Sequence, residues 1–349
     1  MSASVGRRVL VTGGSGFIGA HSARALADDG HDVRFLVRSR DRLARTAGSL
    51  GVRIDDVVIG DVTDPTAVRT ALDGCDAVLH AAAVVSTGAD DAAAMSATNA
   101  MGARNVLGLA AELGLDPIVH VSSGSVLYPT DDPVVGPESP VVEGLGPYAE
   151  SKVAAERFAR HLQAAGAPVV CTYPMMVLGP PAGERGGEGS TALPPFLRFR
   201  MITDVGQWSA IDVRDLARVH AAVMEPGLGP RRYTCGGHFF TTGEAAEMMA
   251  QATGRTIRCI PVPAGAMTAF GALNERAMGL LGRATTFTRD AMVYLVRCVP
   301  VDDSRTVAEL GVVFRDPLET MRDTIRGLVE AGSISPKDAG RAAGAPAAG

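Results

Sequence analysis

The stretch Arg8-Val-Leu-Val-Thr-Gly-Gly-Ser-Gly-Phe-Ile-Gly19 decides how the rest of the chain can fold. It opens with a short apolar run, which is typical of a strand buried on both faces. Three glycines follow at positions 13, 16 and 19, and residues 20–27 are compatible with a helix. A turn this tight needs backbone without Cβ, and it lets a pyrophosphate approach the N–H groups at a helix N-terminus. The strand, turn and helix together predict a dinucleotide or phosphate site.

The composition is that of a protein with a large core. Of 349 residues, 46% are hydrophobic, and the formal net charge of −5 comes without any basic run interleaved with aromatics, so we expect no nucleic-acid partner. Neither the five scattered cysteines nor the seven histidines have the spacing of a metal site or a disulfide framework. We find no signal peptide and no apolar stretch long enough for a transmembrane segment, and we therefore expect a cytoplasmic protein.

Strand-like and helix-like segments alternate through the first half of the chain. This alternation predicts an α/β fold, with a Rossmann-type doubly wound parallel sheet and a smaller α/β C-terminal substrate-binding lobe. The expected strands are 9–11, 33–37, 57–59, 77–80, 118–121 and 169–173. The expected helices are 66–72, 95–113, 150–165, 211–224 and 241–253.

We divide the chain into two units. The dinucleotide-binding domain should span residues 1–180, with residues 211–235 returning to it, and the lobe should comprise 181–210 and 236–332. Residues 333–349 are rich in Ala, Gly and Pro, and this composition predicts a disordered tail.

Residues 264–298 in the lobe predict a pair of Met-rich helices with one apolar face. We expect this face to pack against the core; a lid over an apolar substrate and a membrane-surface contact are the alternatives. The residues that share the face are Met267, Phe270, Leu273, Ala277 and Leu280.

Tyr148 and Lys152 carry the second chemical signal. Residues four apart share a helix face, so the ammonium would lie beside the phenol and stabilise a phenolate. That neighbour makes a tyrosine usable as an acid–base group near neutral pH. Serines also follow the fifth expected strand, at the edge where the ligand crevice of a parallel sheet opens. A hydroxyl there can donate to a substrate carbonyl oxygen as hydride arrives at its carbon.

In this order, the motifs resemble those of the extended short-chain dehydrogenase/reductases, the NAD(P)-dependent epimerase/dehydratase family. Within it, the chain is most similar to the dihydroflavonol-reductase-like and 3β-hydroxysteroid-dehydrogenase-like branch. The resemblance covers about residues 9–328. The matching motifs are the glycine turn 12–19, Asp61-Val62, His80-Ala-Ala-Ala83, Asn99 with Asn105, the serines 122–125, Tyr148 with Lys152, Pro174 with Gly179-Pro180, and Ile211-Asp-Val-Arg-Asp215.

The resemblance implies a role for each matching position. Ser123 would polarise the carbonyl, Tyr148 would transfer the proton and Lys152 would tune Tyr148; another register of the serine cluster gives the first role to Ser125. The residues implied in cofactor binding are Gly13, Gly16, Phe17 and Ile18 around the pyrophosphate, Asp61 and Val62 at the adenine, Ala81, Ala82 and Ala83 along the cofactor, and Pro174 and Val177 at the nicotinamide, together with Ser122, Tyr148 and Lys152.

The end of the second expected strand favours NADP(H) as cofactor. An NAD enzyme usually has an acid there that accepts from the ribose 2′-OH, whereas this chain has Val37 followed by Arg38. A guanidinium suits a 2′-phosphate through bidentate, charge-assisted hydrogen bonds. A solvated surface arginine, which would leave NAD(H) as the cofactor, is the alternative.

We therefore predict an NADP(H)-dependent oxidoreductase that acts on a ketone, aldehyde or secondary alcohol of a fairly apolar small molecule. The apolar helices and Met175-Met176 favour such a substrate. One alternative is an NDP-sugar epimerase, for which Arg198 and Arg200 offer basic groups. Another is a non-catalytic nucleotide sensor, which the three catalytic candidates disfavour. A homodimer through helices 95–113 and 150–165 is also open.

Overall fold

A central parallel sheet organises the protein, whose computed structural model describes residues 6–84, 92–184, 186–283, 285 and 287–344. Within these residues the sheet has seven strands: β1 (Arg8–Thr12), β2 (Asp32–Val37), β3 (Asp56–Ile59), β4 (Ala77–His80), β5 (Ile118–Val121), β6 (Val169–Pro174) and β10 (Arg231–Cys235). Their order is β10-β6-β5-β4-β1-β2-β3, and every neighbouring pair is parallel. The predicted Rossmann-type fold is confirmed.

The direction of winding reverses between β1 and β4. The chain runs outward from β1 through β2 to β3, and then returns to β4 on the other side of β1. A crevice opens at the carboxyl ends of the strands at such a switch point. The turns that follow β1 and β4 therefore border the place where a ligand binds in this fold.

Helices cover both faces of the sheet. Side chains alternate along a strand, so Leu10 packs into one hydrophobic cluster while Val9 and Val11 pack into the other. The first cluster lies under α3 (Pro65–Leu72), α4 (Ala92–Glu112) and α5 (Gly146–Ala164). The second lies under α1 (Phe17–Asp28), with α2 (Arg40–Thr46) and α7 (Val213–Ala222) beside it.

A smaller α/β lobe packs around Trp208, Met249 and Ile325. Its strands are β7 (Met176–Leu178), β8 (Met201–Asp204), β9 (Gln207–Asp212), β11 (His238–Thr241) and β12 (Arg258–Pro261), which form the sheet β11-β9-β7 and the pair β12-β8. Its helices are α6 (Leu193–Phe199), α8 (Thr242–Thr253), α9 (Ala264–Leu280), α10 (Arg289–Val296), α12 (Pro317–Glu330) and α13 (Pro336–Ala339), whereas α11 (Ser304–Leu310) packs against β10 and α7.

Among the boundaries that differ from the sequence-based expectation, two have a clear physical reason. Helix α5 begins at Gly146 rather than at residue 150, because Pro147 occupies its first turn, where a missing N–H costs nothing. The expected disordered tail is wrong for residues 335–343, which form α13 and a 3₁₀ turn. Ala339 and Ala342 there are buried against the lobe, since their small side chains fit closely between α8 and α12. Residues 345–349 lie outside the described chain.

The apolar face of α9 is another departure. Met267 is buried as expected, but Phe270, Leu273 and Leu280 are exposed, so packing against the core is wrong for most of this face. Over the residues that the structure describes, the helices fall short of the length and hydropathy that crossing a bilayer requires.

Candidate active site

The glycine turn between β1 and α1 packs directly against the turn that follows β4. Gly13 has a φ of +77°, and a Cβ there would lie 2.6 Å from backbone atoms of Ala81 and Ala82. A Cβ on Gly19 would overlap the carbonyl of Gly13. These two glycines are therefore required by close backbone approach, and Gly16 serves as the N-cap of α1.

The crevice at the switch point holds a cavity of about 600 Å³. Its lining includes glycines of the turn, the start of α1, and residues from the ends of β4, β5 and β6. Every residue that the sequence predicts for the site lines it: Gly13, Gly16, Phe17, Ile18, Arg38, Asp61, Val62, Ala81, Ala82, Ala83, Ser122, Ser123, Tyr148, Lys152, Pro174 and Val177.

Helix α5 carries Tyr148 and Lys152 into this cavity one turn apart. The Lys152 side chain is buried, and its Nζ donates to the carbonyl of Val121 at the end of β5 at 2.9 Å. This bond holds the ammonium at the carboxyl edge of the sheet.

Asn99 of α4 ties the helix that bears Tyr148 to the segment after β4. Its Nδ2 donates to the Val84 carbonyl and to Ser151 Oγ, both at 2.9 Å, while its Oδ1 accepts from the Val84 N–H at 2.7 Å. Ser151 Oγ in turn donates to the Tyr148 carbonyl at 2.6 Å. The buried amide thus fixes two walls of the cavity relative to each other.

The serines after β5 differ in their hydrogen bonds and in whether they line the cavity. Ser123 Oγ accepts from the N–H of Ser125 at 3.2 Å and from its Oγ at 3.0 Å, so the Ser123 proton is directed elsewhere. Ser123 lines the cavity, whereas Ser125 is not among the lining residues. Ser122 Oγ is buried without a hydrogen-bond partner in the described chain.

Two arginines stand at the end of the cavity beyond β2. Arg38 Nη1 lies 3.8 Å from Asp61 Oδ2, and 65% of the Arg38 side chain is exposed, so this ion pair is weak. Arg42, in the first turn of α2, lines the same end. Arg40 points away and donates to the Ile54 carbonyl at 3.0 Å. Sequence reasoning missed Arg42, although its four-residue spacing from Arg38 was the available signal.

A pair of buried histidines lies beneath the site. The rings of His80 and His120 stack at 5.9 Å, and His80 Nδ1 shares a 2.8 Å hydrogen bond with Thr12 Oγ1, which also accepts from the Ala82 N–H. Burial, reinforced by the Lys152 cation, lowers the pKa of His120 to about 3 and that of His80 well below its usual value. Both rings are therefore neutral and form part of the support for the cofactor turn.

The wall formed by the residues after β6 is largely apolar. Met175, Met176 and Val177 line it, and a Cβ on Gly124 would overlap Met175 Sδ. The loop glycines 186, 187 and 189 also line the cavity, and a Cβ on Gly187 would press on the Phe17 ring and the Val177 carbonyl. Among the described residues, no group of three or more His, Cys, Asp or Glu side chains is arranged to hold a metal ion.

Comparison with known proteins places this arrangement in a family. Residues 9–236 match the profile of the NAD dependent epimerase/dehydratase family. The chain belongs to that family. The expectation of an extended short-chain dehydrogenase/reductase, and of an NAD(P)-dependent reductase or dehydrogenase within it, is confirmed.

Relatives of this chain include proteins named as reductases. The chain is 29% identical over 324 residues to a Synechocystis sp. protein named "Putative dihydroflavonol 4-reductase", covering 90% of this chain and 93% of that one. It is 26% identical over 352 residues to cinnamoyl-CoA reductase 1 of Arabidopsis thaliana, covering 96% and 93%. A UDP-glucose-4-epimerase from Stenotrophomonas maltophila, solved with NAD and formylated UDP-arabinopyranose, shares the fold with a TM-score of 0.72 at 21% identity, covering 94% and 99%.

Proposed function

We propose that the protein is an NADP(H)-dependent oxidoreductase that transfers hydride between the nicotinamide and a ketone, aldehyde or secondary alcohol of an apolar small molecule. The observation that carries this proposal is that Ser123, Tyr148 and Lys152 line the same cavity as the Gly13 turn and Arg38. Proton transfer and dinucleotide binding would then take place in one crevice.

The residues present fit the cofactor. The glycine turn lines the cavity at the N-terminus of α1, which favours a pyrophosphate there. Arg38 and Arg42 supply two cations for a 2′-phosphate. Asp61 and Val62 would hold the adenine. When bound, the nicotinamide supplies or accepts the hydride.

The chain's own residues would manage the charge on the substrate oxygen. Ser123 would donate a hydrogen bond to the carbonyl oxygen, and the Tyr148 phenol would transfer its proton to that oxygen as negative charge develops. The Lys152 ammonium stabilises the phenolate that remains. For an alcohol substrate the same groups act in reverse, with the Tyr148 phenolate removing the hydroxyl proton.

The cavity wall supports an apolar substrate over a sugar nucleotide. Met175, Met176 and Val177 face the cavity, whereas Arg198 and Arg200, which the epimerase alternative would use for a diphosphate, are not among its lining residues. The two relatives named above are reductases, and the epimerase likeness is one of fold.

The test of the reaction is net NADPH consumption with a panel of apolar ketones and aldehydes, alongside UDP-glucose. We expect Ser123→Ala to lower kcat by about a hundredfold, as loss of one donor to a developing oxyanion does. Ser125→Ala, the matched control, should keep most activity. Interconversion of a UDP-sugar without net NADPH use would establish an epimerase instead, and binding of NADPH without turnover of any substrate would establish a sensor.

The cofactor preference has its own test. We expect Arg38→Ala and Arg42→Ala each to weaken NADPH binding about tenfold or more while leaving NADH binding unchanged, because only NADPH carries the 2′-phosphate. Arg40→Ala is the matched control, since its guanidinium bonds to Ile54 outside the cavity. Equal effects on both cofactors, or none, would contradict the preference.

A further inference from the structure

Helix α9 turns a continuous apolar face to solvent. Phe270, Leu273, Leu280 and the following Leu281 are 50%, 69%, 91% and 65% exposed. With exposed Ala266, Ala269 and Ala277, they fall within about a third of the helix circumference, along about 25 Å of helix. The opposite side packs on α10, where a Cβ on Gly271 would press against Thr288 and Met292.

Positive charge flanks this face. Residues 255–297 hold six arginines and two acids, and three of these arginines, Arg255, Arg289 and Arg297, lie in ion pairs with Asp338, Asp290 and Asp131. Arg276 and Arg283 are exposed beside the apolar stripe, and the stripe itself contains no acid. Glu275 lies on the other side of α9 and accepts from the Arg289 N–H.

The neighbouring part of the lobe also has exposed apolar side chains beside exposed arginines. Phe199, Met201 and Ile260 are exposed large apolar side chains, and exposed arginines lie next to them in sequence. The rings of Phe196 and Phe287 pack edge to face at 6.2 Å, which joins α6 to the turn between α9 and α10. Exposed apolar and cationic residues therefore share one side of the lobe.

We propose that the α9 face docks on an anionic membrane surface, with the helix lying in the plane of the interface. The apolar side chains would enter the boundary between headgroups and acyl chains, and the arginines would bind lipid phosphates. A second copy of the chain fits this face less well, because a twofold pairing would bring the arginines of both copies together. A negatively charged lipid surface matches the charge of Arg276 and Arg283, which are exposed beside the stripe.

Docking through this face would bring the lipid surface close to the catalytic helix. The Tyr294 hydroxyl of α10 accepts from the Leu145 N–H at 3.4 Å, and a Cβ on Gly146 would meet Asp290 of α10. These contacts join the α9–α10 pair to the start of α5, two residues before Tyr148. The proposal itself does not depend on turnover.

The experiment is co-sedimentation of the full chain with vesicles of phosphatidylcholine alone or mixed with phosphatidylglycerol. We expect binding to the mixed vesicles that weakens with added salt, and little binding to phosphatidylcholine alone. Leu273→Glu and Leu280→Glu should each lower the vesicle partition coefficient about tenfold or more, since each removes an apolar anchor and adds a like charge to the lipid. Leu228→Glu, at a position 57% exposed on the loop before β10, is the matched control and should bind like the wild type.

Three results would overturn the proposal. The wild type could fail to sediment with anionic vesicles, or Leu280→Glu could bind as well as Leu228→Glu does. A dimer measured by light scattering without lipid, and dissociated by Leu280→Glu, would assign the face to a second copy instead. Thermal melts of all variants would verify folding, and these side chains are exposed, so the fold should be retained.

Discussion

We expect Gly13→Ala to destabilise the protein and to weaken NADPH binding together. The residue has a left-handed φ of +77°, which costs an alanine about 1–2 kcal/mol. Its new Cβ would also lie 2.6 Å from three backbone atoms of Ala81 and Ala82, a distance that real Cβ contacts essentially never show. The turn after β4 must therefore move by on the order of 1 Å to restore van der Waals contact.

That movement would weaken the two hydrogen bonds that hold the turn. The Ala81 N–H donates to the Thr12 carbonyl at 3.2 Å, and the Ala82 N–H donates to Thr12 Oγ1 at 3.3 Å. Each is worth about 1 kcal/mol, so the total loss in the free energy of unfolding is about 3–4 kcal/mol. Because residues 81–83 line the cavity, a displacement of this size should also weaken NADPH binding about a hundredfold.

Urea denaturation with and without NADPH measures both effects in one series. Gly48→Ala is the matched control: Gly48 lies in the same part of the fold, its φ is not positive, and a Cβ there meets open space. We expect that variant to stay within about 0.5 kcal/mol of the wild type. The reasoning is refuted if Gly13→Ala unfolds within about 1 kcal/mol of the wild type, or binds NADPH within about threefold of it.

The remaining predictions concern buried polar groups. Burial lowers the pKa of His21 to about 4, of His120 and His220 to about 3, and of His80 well below its usual value. Above pH 6.5 these histidines do not lower the free energy of unfolding. As pH falls from 6.5 toward their folded-state pKa values, each histidine lowers it by about 1.4 kcal/mol per pH unit, because only the unfolded chain binds the protons. Equal free energies of unfolding from urea melts at pH 7 and pH 5 would contradict this. His120→Leu should reduce this pH dependence by the contribution of one histidine. It should not destabilise the protein at pH 7, because neither ring nitrogen has a hydrogen-bond partner in the described chain; a loss above about 2 kcal/mol in the free energy of unfolding would contradict this. Asn99→Ala should cost about 2–3 kcal/mol and lower turnover, because it strips the hydrogen bonds that hold the backbone at residue 84; unchanged melts and unchanged kcat would count against that role.

The sequence is most informative about the sheet and the cofactor side of the site, for a physical reason. Strands buried on both faces appear as short, mostly apolar runs, such as Ala77–His80 and Ile118–Val121, each with one histidine, so their positions can be read directly. The site residues follow those strands at once, and the carboxyl ends of parallel strands meet at one edge. This local coding explains why the residues predicted at the strand ends line the cavity.

What the sequence did not reveal depends on contacts between distant segments. Arg42 and the glycines at 186, 187 and 189 reach the cavity only through the packing of α2 and a long loop. Residues 335–343 have a composition typical of disorder, yet the small side chains of Ala339 and Ala342 let them pack closely on the lobe. The periodicity of α9 reports an apolar face, but it does not specify what that face contacts.

The residues proposed for the cofactor and those proposed for the substrate are therefore under different structural constraints. Most of the former lie at strand ends, where the hydrogen-bond ladder of β1 and β4 fixes the backbone, and Gly13 leaves no room for a Cβ. The substrate wall is built from Met175, Met176 and a glycine-containing loop outside the central sheet's ladder. A methionine side chain is flexible and fills irregular space, and Met175 occupies the volume that any side chain at position 124 would need. We therefore expect substitutions at these two positions to reshape this wall of the cavity while the backbone of the glycine turn stays in place.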